Sequence, residues 1–125
     1  PTTGTIEKGL TMLWKNRTDA QVGDDTYSNA LICPMCGGYY LHQGNTTIYE
    51  RTEDASVTTV IAQNGSEVVR TDFPSDDVAN PSMRRHGLII EFECECCHVD
   101  DFKKTPLLRL SIYQHKGITF LEWVE

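Results

Sequence analysis

The cysteines constrain this chain more than any other feature. All five lie in two stretches, "LICPMCGGYYLH" at 31–42 and "FECECCHVD" at 92–100. Each stretch holds a C-x-x-C spacing, Cys33 with Cys36 and Cys94 with Cys97. Two residues in a tight turn let both sulfurs of such a pair point at one centre. A structural zinc ion wants four soft ligands in a tetrahedron at Zn–S distances of ~2.3 Å. "CPMCGG" supplies Pro34 to fix one turn dihedral, and Gly37 and Gly38 for positive φ where the chain leaves the turn.

Cys96 is the extra thiol. In an extended strand Cys94 and Cys96 share a face but stand too far apart for easy chelation, so a turn beginning at Cys94 favours Cys97. The expected ligand set is Cys33, Cys36, Cys94 and Cys97, with Cys96 or His98 as alternatives for the last position. The pairs are much further apart in sequence than the roughly 15 to 20 residues of a compact ribbon. The segment between them must therefore fold out and return, which makes the metal a staple across a sheet. Buried unligated thiols or a redox pair are the competing accounts.

With 125 residues and 39% apolar content, the chain can build one small core, and two independent domains would each be too thin. Its opening run is polar, and no apolar run approaches the ~20 residues of a membrane span. It therefore reads as soluble and intracellular, a compartment that disfavours structural disulfides. The formal charge is -7; four thiolates with one Zn2+ lower it by two more. Nucleic acid should be repelled over most of such a surface.

The expected fold class is mainly β: an antiparallel sheet with a zinc-ribbon-like four-cysteine site and a short N-terminal helix or arm. Residues 1–30 form the arm and linker, and residues 31–125 the β domain. Ile6, Leu10, Leu13 and Trp14 recur at helical spacing after Thr5, whereas "RTDAQVGDDTYSNA" is polar and reads as a linker or loosely held arm. From residue 31 onward, "YYLHQGNTTIYER", "SVTTVIAQ", "SEVVRTDF" and "LIIEFECE" read as strands, and a closing hairpin turns around "QHKG". Asn64-Gly65 is a hairpin signal. "PSDDVANPSMRRHG" is a long loop, of a kind that is often disordered or functional.

Alternation along "LIIEFECE" puts Ile90, Phe92 and Cys94 on one face and Glu91, Glu93 and Glu95 on the other. The glutamates form an acidic ridge that is either a solvated face or a mimic of a phosphate backbone for a basic partner. Arg84 and Arg85, beside His86, either clamp a phosphate or carboxylate, or pair with the domain's own acids such as Asp76 and Asp77. His98 either donates to a thiolate or is exposed, and His115 shapes a hairpin turn. No nucleophile elbow, phosphate loop or distinctive acid pair is present, so a non-enzymatic protein is expected.

The succession "CPMCGGYYLH", "NPSMRRHG", "FECECC" and "IYQHKGITFLEW" resembles small zinc-ribbon-like proteins encoded by bacteriophages and other mobile elements of bacteria. The resemblance covers about residues 31 to 123 and implies the ligands Cys33, Cys36, Cys94 and Cys97. Phage proteins of this size include zinc-binding anti-CRISPR proteins that inhibit the Cas9 nuclease. The resemblance therefore implies a protein partner, Cas9 or its complex with guide RNA, in the cytoplasm of a bacterial host. The alternatives are a nucleic-acid-binding ribbon of phage transcription or replication using Arg84, Arg85, Lys103 and Lys104, and a redox sensor centred on Cys96.

Overall fold

Among the described residues, runs of β-branched and aromatic residues broken by short polar turns form seven strands. The computed structural model describes residues 17–23, 26–97 and 107–125. In chain order the strands are β1 (Arg17–Asp19), β2 (Leu41–Glu50), β3 (Val57–Asn64), β4 (Glu67–Pro74), β5 (Gly87–Cys94), β6 (Leu107–His115) and β7 (Ile118–Val124). They make one antiparallel sheet in the order β1-β7-β6-β5-β2-β3-β4. The mainly β antiparallel class expected from the sequence is thus observed. The helix read over "TIEKGLTMLWKN", together with His98, Asp100, Asp101, Lys103 and Lys104, lies outside the described residues. Among the described residues no helix is long and apolar enough to cross a membrane.

Two hairpins close by turn chemistry. Lys116 and Gly117 both have positive φ (53° and 78°) between paired His115 and Ile118, the combination a type I′ turn requires. At β3–β4, Gly65 alone takes positive φ, and Asn64 pairs with Glu67 across the loop.

A bulge in β2 accounts for what alternation alone does not show. Gln43 pairs with Phe92 but Thr46 pairs with Ile90, so β2 carries one extra residue around Gly44 and Asn45. The insertion reverses the parity of β2. Leu41 before the bulge and Ile48 after it consequently share one face of the sheet.

The two faces are covered by different segments. On one, the long loop of residues 75–86 lies as an ordered strap rather than a disordered excursion. After a single 3-10 turn at Ser75–Asp77, Val78, Asn80, Pro81 and Ser82 are buried, and Val78 packs with Tyr49, Ile89 and Val124. Its buried polar residues are satisfied by groups of the strap itself and by the backbone of β6. Asn80 Nδ2 donates to Arg85 O at 2.8 Å, Ser82 Oγ donates to Gln114 O at 2.6 Å, and Arg85 N donates to Ser82 Oγ at 3.0 Å. Gly87 lies directly beneath: a Cβ there would come within 2.7 Å of Pro81 Cγ and also meet Asn80.

The opposite face holds the second core cluster, at one end of the sheet. Leu108, Leu110 and Trp123 pack there with Cys33, Cys94 and Cys97, and Leu41 and Phe92 flank them. Phe92 meets Trp123 edge to face at 6.0 Å, a favoured aromatic geometry.

The segment read as a linker or loosely held arm contributes β1, paired to β7. Polar composition hides the reason. Arg17 lies 5.1 Å over the Tyr113 ring, donates to Glu122 Oε1 at 3.3 Å and donates to Pro81 O at 3.2 Å. Val22 and Leu31 then form an isolated antiparallel bridge that leads the chain to the first cysteine pair.

Candidate metal centre

The first pair sits in a tight knuckle. Cys33 N donates to Gly38 O at 2.7 Å and Gly37 N donates to Cys33 O at 3.0 Å, with Gly37 at φ 77°. This closes the turn and brings amides onto sulfur: Met35 N donates to Cys33 Sγ and Gly38 N to Cys36 Sγ, both at 3.4 Å. The second pair lies where β5 ends. Glu95 N donates to Tyr40 O at 3.0 Å, and Cys97 N donates to Cys94 O at 3.4 Å. The Cys96 backbone N–H donates to the Cys94 thiol, as Met35 and Gly38 do in the first knuckle.

The four sulfurs of Cys33, Cys36, Cys94 and Cys97 lie within 4.8 Å of one another. Cys33 Sγ is 3.7 Å from Cys97 Sγ, and Cys36 Sγ is 3.6 Å from Cys94 Sγ. A tetrahedron with ~2.3 Å metal–sulfur bonds has sulfur–sulfur edges of about 3.8 Å. A disulfide would need about 2.05 Å, and all five thiols are free. The spacing therefore fits a tetrahedral thiolate site able to hold one metal ion.

Burial and hydrogen bonding pull the thiols in different directions. Cys33, Cys94 and Cys97 are buried and Cys36 is exposed. The Gly38 amide draws the Cys36 thiol below its ordinary range. Burial pushes the Cys94 and Cys97 thiols up, because a lone thiolate is poorly solvated there. A coordinated cation reverses that preference and deprotonates its thiols outright. The donor set, four soft sulfurs with amides directed at three of them, suits such an ion.

Cys97, not Cys96, joins the cluster; Cys96 is exposed. None of the described histidines joins it either. His42 Nε2 pairs with Glu95 Oε2 at 3.1 Å. His86 Nδ1 accepts from Arg51 N at 3.0 Å, and His115 precedes the β6–β7 turn.

The charged candidates are placed as follows. Arg84 donates to Glu53 Oε2 at 2.9 Å and pairs with both carboxylate oxygens of Asp54, while Arg85 donates to Glu53 Oε1 at 2.7 Å. The domain's own acids thus engage both arginines, but the partners come from the β2–β3 connection rather than from Asp76 and Asp77. Sequence signals did not point to Glu53 and Asp54, because the strap brings residues 30 positions away onto them. Arg51 was also missed: its Nη1 donates to Met83 O at 2.9 Å, tying β2 to the strap.

The acidic ridge is partly neutralised. Glu91 is half-buried with Arg109 at 3.9 Å, Glu93 is exposed, and Glu95 faces His42. The face they share is also less solvated than expected. Ile89, two residues before Glu91, is only 5% exposed because the strap covers that end.

No family model matches the chain, and neither the curated proteins nor the solved structures provide a match to it.

Proposed function

We propose that Cys33, Cys36, Cys94 and Cys97 hold one Zn2+ as a structural staple, and that the chain acts by binding another macromolecule rather than by chemistry of its own. The observation that supports this reading is the tetrahedral spacing of four sulfurs from two distant segments. Four thiolates would close the coordination shell and leave no position for a substrate or a reactive water, unlike a catalytic zinc site. Thiolate tetrahedra also suit iron, so metal analysis of the purified chain distinguishes the two occupants.

The concrete partner rests on the sequence resemblance: a Cas9 nuclease, alone or with its guide RNA. Charge is compatible with it. A chain of formal charge -7 complements the positively charged channel in which such a nuclease holds its heteroduplex. Purified Cas9 is assayed for cleavage with increasing amounts of the zinc-loaded chain. The reading expects dose-dependent loss of cleavage; full cleavage at a large molar excess rejects this partner.

A further inference from the structure

The two edges of the sheet differ. Among the described residues, one edge is β1, three residues long, and the other is β4, eight residues long and exposed along its whole length. A long open edge is a template for another strand, and natural proteins usually shorten, cover or charge it. The β4 sequence "EVVRTDFP" carries Val68, Arg70, Asp72 and Pro74 on one face, and Glu67, Val69, Thr71 and Phe73 on the other.

Which peptide groups face outward follows from the hairpin. Residues flanking a two-residue loop form a hydrogen-bonded pair, so Asn64 and Glu67 set the phase. Ser75 N donating to Ser56 O at 2.8 Å continues it. Glu67, Val69, Thr71 and Phe73 therefore bond to β3, while Val68, Arg70 and Asp72 direct their N–H and C=O groups away from the sheet.

This phase limits how β4 can pair with an antiparallel copy of itself, because outward groups must meet outward groups. Two registers keep nearly the whole strand paired. One sets Arg70 opposite Arg70, and like charges directly opposite are destabilising. The other is centred on Thr71. It sets Arg70 opposite Asp72 of the second copy, and by symmetry the reverse, with Val69 opposite Phe73 on the other face. The exposed contacts that these charges make now, Arg70 with Glu50 at 3.8 Å and Asp72 with Thr59 at 2.7 Å, leave both side chains on the surface.

We infer that β4 is a self-association edge, through which two copies of the chain join antiparallel about Thr71 into one continuous sheet held by reciprocal Arg70–Asp72 pairs. The interface is self-complementary and closed, as a two-fold contact must be. β3 and β2 separate this edge from β5, at whose end the thiol cluster lies.

The test is sedimentation equilibrium of the full chain up to about 200 μM, a range suited to a small strand interface. Wild type is expected to reach twice the 14.1 kDa chain mass. Arg70→Asp sets acid against acid and Asp72→Arg sets base against base; each is expected to weaken dimerisation about tenfold, with the melting temperature of the dilute, monomeric chain nearly unchanged because both side chains are exposed. Combining the two restores Arg–Asp pairing and should restore the wild-type constant. A wild-type mass of one chain throughout overturns the inference. So does a dimer insensitive to Arg70→Asp, or a double variant as weak as the single ones.

Discussion

Cys36 Sγ lies 3.6 Å from Cys94 Sγ although 58 positions separate them in the chain. The contact joins a loop preceding β2 to the end of β5, neighbouring strands of the sheet. A metal at this point fixes a long loop closure, and its binding energy would count towards folding. Chelation should therefore lower stability by about 3 kcal/mol or more, roughly 10 °C in melting temperature for a domain of this size. Circular dichroism melts with and without chelator measure it; coincident melts of zinc-loaded and stripped protein would deny the staple its structural role.

The strap depends on the absence of a side chain at Gly87. A Cβ there meets Pro81 and Asn80, both buried, so Gly87→Ala must displace the strap or the strand. We expect a loss of about 2–3 kcal/mol in urea unfolding. The reporter of the displacement is Ser82, whose hydroxyl joins the strap to Gln114 O. A loss below about 0.5 kcal/mol, the range of ordinary surface substitutions, would show that the strap is loosely seated.

Arg17 holds the first strand. Its guanidinium meets Tyr113, Glu122 and Pro81 in a partly buried setting, so Arg17→Ala should cost about 1–2 kcal/mol. The effect should be local, with faster amide exchange across Arg17–Asp19 and in β7, and an unchanged metal content.

Tyr49 makes stability depend on alkaline pH. Burial pushes its hydroxyl up to about 12, against a weaker lowering by Arg109. A folded value above the ordinary value of 10 means that the folded state holds the proton more tightly than the unfolded one. The contribution is complete below pH 10 and is lost as pH rises toward about 12. Tyr49→Phe should flatten this part of the pH–stability curve; an identical curve would place the alkaline sensitivity elsewhere, with Tyr113 as the next candidate.

Much of the fold could be read in the sequence because its signals are local. C-x-x-C spacing, β-branched runs and the turns at Asn64-Gly65 and "QHKG" each need only a few neighbours. A tight turn beginning at Cys94 likewise distinguishes Cys97 from Cys96. What escaped depends on distant partners. β1 is polar and three residues long, and it is a strand through its pairing with β7, where Arg17 meets Tyr113, Glu122 and Pro81. The bulge at Gly44 and Asn45 appears only in the register against β5. The strap read as a loop because its burial rests on Asn80 and Ser82 bonding to backbone, which hydropathy does not weigh. The acids that engage Arg84 and Arg85 lie across that strap.

The central claim is that four particular thiols hold one metal ion, and metal analysis of three chains expressed with zinc tests it most directly. Wild type and Cys96→Ser should each carry one zinc per chain, and Cys97→Ser should lose it. A wild-type chain without bound metal, or one that loses metal through Cys96→Ser while Cys97→Ser retains it, would contradict the account.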